Sequence, residues 1–156
     1  IKILKIKMKK IALINGVNLD RLGRREPQIY GTTTLADITS ALRAEAEKLG
    51  AEIIDFQSNH EGAIVDKIQE AYGAKDGIVI NPAAYTHTSV AILDALKAVG
   101  IPTVEVHISN VSEREAFRQV SYVSYVAVKS FIGLGLDGYR QAINFLSDHI
   151  KNLKNA

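Results

Sequence analysis

Gly77-Ile78-Val79-Ile80-Asn81 sets three β-branched apolar residues in a row between a glycine and an asparagine. A strand with one wet face alternates apolar and polar residues, whereas a strand buried on both faces does not. The run therefore reads as a short strand covered on both sides, ending at Asn81. Upstream, Ile64, Val65, Ile68, Ala71 and Tyr72 recur at helical spacing, and Gly73 closes the helix they mark. Downstream, Val90 to Val99 read as a helix closed by Gly100, followed by a strand at Thr103-Val104-Glu105-Val106-His107. The alternation continues farther out. Lys10-Ile11-Ala12-Leu13-Ile14-Asn15-Gly16 and Glu52-Ile53-Ile54-Asp55-Phe56 read as strands one and two. The helix between them carries Leu35, Ile38, Leu42, Ala46 and Leu49 on one face, with a capping-box start at Thr34 and Asp37 and a stop at Gly50. Beyond strand four, a short polar helix near 111–118 leads to a fifth strand around 126–132. The last helix aligns Tyr139, Ala142, Ile143, Leu146 and Ile150.

Five such strands alternating with helices predict an α/β three-layer sandwich around a five-stranded parallel sheet. A closed barrel of this type takes about 250 residues, and the chain has 156. The open, flavodoxin-like order 2-1-3-4-5 fits that length, as a single domain over 1–156. Hydrophobic residues at 47% and charged residues at 23% exclude a disordered or fibrous chain. No apolar run approaches the roughly 18 residues of a membrane span. With no cysteine, disulfides, thiolate nucleophiles and cysteine zinc sites are excluded, and a reducing cytoplasm is the natural location. Of the net charge of +2, five lysines (Lys2, Lys5, Lys7, Lys9, Lys10) lie in the first ten residues, so the remainder carries −3. That body has no basic face for nucleic acid. Met8 reads as the natural start, with residues 1–7 a non-native or disordered extension.

In an open α/β sheet, ligands bind beyond the carboxyl ends of the strands. Strand one ends in Asn15 and Gly16, and a long polar loop from Val17 to Thr32 follows, holding Asn18, Arg21, Arg24 and Arg25. Loops of this length in a compact domain are usually lids or binding segments. Strand three ends in Asn81, followed by Tyr85-Thr86-His87-Thr88-Ser89. In strand four, Glu105, His107 and Ser109 alternate with Val104, Val106 and Ile108, which puts a carboxylate, an imidazole and a hydroxyl on one side. A glutamate in a central strand is costly unless paired, and His107 is the obvious partner. Such a pair fixes the ring's tautomer. A buried pair with no catalytic task is the plainer alternative.

The stretch from Asn15 to Gly31 (NGVNLDRLGRREPQIYG) resembles the signature of the type II 3-dehydroquinases, small flavodoxin-like enzymes. Three further segments are similar to that family. They are Asn81 to Ser89 (NPAAYTHTS), Glu105 to Val111 (EVHISNV), and Gly133-Leu134-Gly135 with Gly138-Tyr139. The resemblance runs from Met8 onward. It implies a cofactor-free, metal-free anti elimination of water from 3-dehydroquinate to 3-dehydroshikimate through an enolate, for aromatic biosynthesis or quinate breakdown. It also implies roles. Tyr30 is the base at C2, Arg25 stabilises its tyrosinate, and Asn18 helps hold the enolate oxygen through a water. His107 is the acid that protonates the departing C1 hydroxyl, oriented by Glu105. The amides of Ile108 and Ser109, at the start of the short helix, and the Ser109 hydroxyl grip the carboxylate. Asn81, His87 and Arg118 bind ring hydroxyls, and Asp94 reaches a neighbouring subunit's site in a dodecamer of four trimers. Val17, Ser112 and Gln119-Val120 depart from the family's common residues. Ala84 sits where many members have glycine or alanine.

The implied chemistry is consistent with elementary energetics. A tyrosine of pKa about 10 costs about 4 kcal/mol to ionise at pH 7, and an adjacent arginine recovers about 1–3 units of pKa. A reading from another class is a flavodoxin-like domain that binds a small carboxylate or nucleotide without turnover. Such a binder would not need the Arg25–Tyr30 pair. Gly133-Leu134-Gly135-Leu136-Asp137-Gly138 matches the dinucleotide fingerprint, but no further strand ending in an acidic residue follows the last helix; tight helix packing is the reading. The four histidines lack ligand spacing, with His60 and His149 expected at the surface. Lys129, in the fifth strand, raises Schiff-base dehydration, although the known Schiff-base dehydroquinases are larger barrels unlike this chain.

Overall fold

The computed structural model describes residues 7–156, apart from the side chain of Tyr30. The expected extension at 1–7 lies, except for Lys7, outside the described residues. Five strands, β1 (Lys9–Asn15), β2 (Ala51–Gln57), β3 (Gly77–Asn81), β4 (Thr103–His107) and β5 (Lys129–Ile132), form one sheet in the order 2-1-3-4-5. Every pairing is parallel, with Asn15 opposite Asn81 and Glu105 opposite Ser130. The helices are a single turn α1 (Pro27–Tyr30), then α2 (Leu35–Lys48), α3 (Glu61–Ala71), α4 (Val90–Val99) and α5 (Asp137–Lys154).

Side chains that alternate along the strands divide the core into two layers. Ile11, Leu13, Val79, Val104 and Val106 pack with Ile38 and Leu42 of α2 and Tyr139, Ile143 and Leu146 of α5. Ala12, Ile14, Ile78 and Ile80 pack on the other side with Ile64 and Ile68 of α3 and Ile92 and Leu96 of α4. The capping box at Thr34 and Asp37 is formed in both directions. The expected positions of β3, α4 and β4 are observed residue for residue.

Three local expectations are corrected. The short helix near 111–118 is two separate 3₁₀ turns, Val111–Glu113 and Ala116–Arg118. The fifth strand is shorter than expected, because Val123–Tyr125 form another 3₁₀ turn whose Val123 side chain is buried against the α3–α4 layer. The loop from Val17 to Thr32 is not a fully solvated polar segment. A 3₁₀ turn at Leu19–Arg21 buries Leu19, Leu22 is buried beside it, and α1 follows. Among the described residues, no helix is long and apolar enough to cross a membrane.

Candidate active site

The carboxyl ends of β1, β3 and β4 are neighbours in the parallel sheet, and one glycine lets the first two close on each other. A Cβ on Gly16 would lie 2.2 Å from the Pro82 carbonyl oxygen, so only glycine permits this backbone approach. The Gly16 amide donates to Asn81 O at 2.8 Å, which ties the two strand ends together. Asn18 follows in the left-handed region at φ 67°, its amide held by Asn59 Oδ1 at 2.9 Å.

The cleft above these ends has an empty volume, mouth included, of about 460 Å³. Of the residues named from sequence, Asn18, Arg25, Asn81, His87, His107, Ile108, Ser109 and Arg118 all line it, together with Val17 and Ala84. Glu105 lies beneath His107. Asp94 stands elsewhere, exposed on α4. The backbone of Tyr30 ends α1, on the same loop as Arg25; its side chain lies outside the described residues. Arg25 also pairs with Glu26 at 3.6 Å. The Ile108 and Ser109 amides precede the 3₁₀ turn that begins at Val111, so they are not the first turn of a helix.

Sequence reasoning missed Arg114. It lines the cleft, with Nη1 3.5 Å from Ser109 Oγ. Its signal was available, as an arginine four residues before Arg118 on the same segment. Gln119 holds that segment in shape, its side-chain amide donating toward the carbonyl oxygens of Val111, Arg114 and Glu115 at 3.0–3.3 Å.

Glu105 is fully buried, and His107 Nε2 lies 2.6 Å from its Oε2. Burial alone would raise the carboxyl pKa. The hydrogen bond and charge of His107, with the hydroxyls of Ser121 and Ser124, outweigh it and hold Glu105 at about 2. Glu105 is therefore a carboxylate at neutral pH, and Nε2 must carry the hydrogen between them. That leaves Nδ1 as the ring nitrogen free of Glu105. His87 is arranged the opposite way round. Its Nδ1 lies 2.7 Å from Val120 O, which can only accept, so Nδ1 donates and Nε2 remains. Burial lowers the His87 pKa, and the charges of His107, Arg118 and Arg114 lower it further. A neutral His87 offers an acceptor to a hydroxyl.

Asn81 is set from below. Its Oδ1 accepts from the Ala83 amide at 3.0 Å, and its Nδ2 donates to the buried Tyr139 hydroxyl at 2.9 Å. The glycine-rich segment before α5 serves packing. A Cβ on Gly133 would approach Asn110 Cβ to 2.9 Å, and after α5 the described residues hold no further strand. Lys129 is exposed on the edge strand, over the Phe131 ring at 5.9 Å, and does not line the cleft. His60 is exposed; His149 is half-buried instead, stacked on Phe145.

Fold and cleft together define a flavodoxin-like α/β protein with a carboxylate-oriented imidazole and three arginines, Arg25, Arg114 and Arg118, lining one polar cleft. The chain belongs to the dehydroquinase class II family, whose model matches residues 9–147. It is 60% identical to catabolic 3-dehydroquinase 1 of Aspergillus terreus, across 95% of this chain and 97% of that one. It is 54% identical to the 3-dehydroquinate dehydratase of a Janthinobacterium species, across 88% and 95% respectively. The crystal structure of type II dehydroquinase from Butyrivibrio crossotus superposes with a TM-score of 0.87 at 50% identity, covering 89% of this chain and 97% of that one.

Proposed function

We infer that this protein is a type II 3-dehydroquinate dehydratase, removing water from 3-dehydroquinate to give 3-dehydroshikimate without a cofactor. The observation that carries the reading is the Glu105–His107 pair at 2.6 Å, set into one cleft with Asn18, Arg25, Asn81, His87 and Arg118. In this reading Tyr30, as tyrosinate beside Arg25, takes the C2 proton. Charge develops on the ketone oxygen, where Asn18 acts through a water. His107 delivers a proton from Nδ1 to the departing C1 hydroxyl, and the C1–O bond breaks as the enolate collapses. Preorganised donors at such an oxygen are worth about 10²–10³ in rate. The backbone of Ile108 and Ser109 takes the carboxylate, with the Ser109 hydroxyl and Arg114 alongside. His87 Nε2, Asn81 and Arg118 take ring hydroxyls.

Following the product's conjugated enone by ultraviolet absorbance tests the activity directly. Tyr30→Phe should abolish turnover and leave substrate binding largely intact; near-normal turnover would remove Tyr30 as the base. The same assay separates a catalyst from a domain that only binds. The reading extends to a homo-oligomer of four trimers in the cytoplasm, supported by the family's habit, the exposed position of Asp94 and the absence of cysteine.

A further inference from the structure

Glu105 has more partners than catalysis by a Glu–His pair requires. Ser124 Oγ donates to Oε1 at 2.5 Å, and Ser130 Oγ donates to the same oxygen at 2.6 Å. Ser121 Oγ donates to Oε2, where His107 Nε2 also bonds. A carboxylate has about four lone-pair sites, and these four donors fill them, two on each oxygen. Thr86 extends the chain of bonds. Its Oγ1 is 2.6 Å from Ser121 Oγ and 3.5 Å from Glu105 Oε2. Ser121 spends its only proton on Glu105, so Thr86 donates to Ser121.

We propose that Ser121, Ser124 and Ser130 are positioning residues that saturate Glu105, so that the shared proton stays on His107 and Glu105 orients the ring without taking the proton from it. The proposal rests on the dehydratase reading for its kinetic consequence only. A protonated Glu105 would set its own O–H against one of the four donors, and a serine there would have to turn its hydrogen away from the carboxyl group. Hydroxyl bonds also spread the carboxylate's charge, which weakens Glu105 as a competitor for the hydrogen on Nε2. Other charges bear on the ring from the cleft side: His87 on the turn after β3, Arg114 and Arg118 beyond β4, and Arg25 on the loop after β1. None of these bonds Glu105, so the serines can be altered separately.

The test uses the full chain with Ser124→Ala and Ser130→Ala. Ser124→Cys and Ser130→Cys are second variants that keep the volume and weaken the donor. Removing a donor makes Glu105 a stronger partner for the imidazolium, so the pair should hold its proton more tightly. The alkaline limb of the kcat profile should move up by about one pH unit, with kcat reduced several-fold and KM nearly unchanged. Ring resonances of His107, titrated by NMR in the absence of substrate, should move in the same direction, part way in the cysteine variants. Ser124→Thr, which keeps the hydroxyl, should restore the wild-type curve. An unmoved or downward-moving ring titration in the folded variants overturns the proposal. A wild-type protein that fails to turn over 3-dehydroquinate overturns the dehydratase reading instead and leaves the titration as the judge of the serine cage.

Discussion

The Tyr139 hydroxyl accepts a hydrogen bond from Asn81 Nδ2 at 2.9 Å and donates one to Asn15 Oδ1 at 2.6 Å. One phenol at the start of α5 thus locks the last residues of β1 and β3, which stand opposite each other in the sheet. All three side chains are buried, and burial raises the Tyr139 pKa, which keeps the phenol neutral. Tyr139→Phe should cost about 1–3 kcal/mol, because it strands an amide donor and a carbonyl acceptor away from water. It should also raise KM more than it lowers kcat, since Asn81 loses its anchor while His107 is untouched. Urea unfolding and steady-state kinetics on the same preparation check both statements.

Acid should unfold this protein partly through Glu105. Its folded pKa of about 2 lies below the ordinary value of 4.5, so ionised Glu105 contributes to stability above about pH 4.5, and the contribution drains away as pH falls toward 2. Across that window the loss is about 3 kcal/mol. Urea midpoints at pH 7, 5, 4 and 3 should fall most steeply below pH 4.5. In Glu105→Gln the curve should be lower overall and flatter through the same window; an unchanged slope would rule out Glu105 as its source.

The sheet was legible because its strands carry runs such as Ile78-Val79-Ile80 and its helices end at Gly73 and Gly100, signals that local chemistry alone makes strong. The Glu105–His107 pair was legible from a period of two. The rest depends on contacts distant in sequence. Ser121, Ser124 and Ser130 look like ordinary polar loop and edge residues until the chain folds back over Glu105, 16 to 25 positions away. The 3₁₀ turns between Val111 and Tyr125 have no helical periodicity to display, and their shape comes from Gln119 and from Val123 packing inward. Arg114 reaches the cleft from the end of one such turn, Val111–Glu113, and its direction there follows from the turn and not from any periodic pattern.

The loop after β1 should tolerate little at Gly16. A methyl group there would overlap the Pro82 carbonyl at 2.2 Å, and both flanking strand ends carry residues of the cleft. Gly16→Ala must push β1 and the turn after β3 apart, at a cost of about 1–3 kcal/mol for overpacking. The kinetic cost should exceed what stability predicts, because Asn18 and Asn81 move relative to each other. Thermal denaturation together with kcat/KM shows the disparity. A variant with normal kcat/KM would mean that the approach is not needed for the cleft's geometry.

Arg114 should prove a binding residue. It faces the cleft within 3.5 Å of Ser109 Oγ, on the side where the substrate carboxylate is proposed to sit. Charge-assisted bonds to a carboxylate contribute about 1.5–3 kcal/mol. Arg114→Ala should therefore raise KM about tenfold or more with a smaller change in kcat. Arg114→Lys should recover part of the loss, since it keeps the charge but not the fork. Equal falls in kcat and kcat/KM would instead assign Arg114 to the transition state.

Asp94 distinguishes a subunit that works alone from one that needs a neighbour. It is exposed on α4 and does not line the cleft of its own chain, so any influence on that cleft must come from another subunit. Substitution of an exposed side chain away from such features usually changes stability by no more than about 0.5 kcal/mol, and Asp94→Ala should unfold at the wild-type midpoint. If it completes a neighbour's site through one hydrogen bond, about 0.5–1.5 kcal/mol of binding is lost, or up to about tenfold in KM. The loss should appear only in assembled protein, which sedimentation and kinetics at matched concentrations resolve. A monomer with full activity, or an Asp94→Ala oligomer with unchanged KM, would show that each cleft is complete within its own chain.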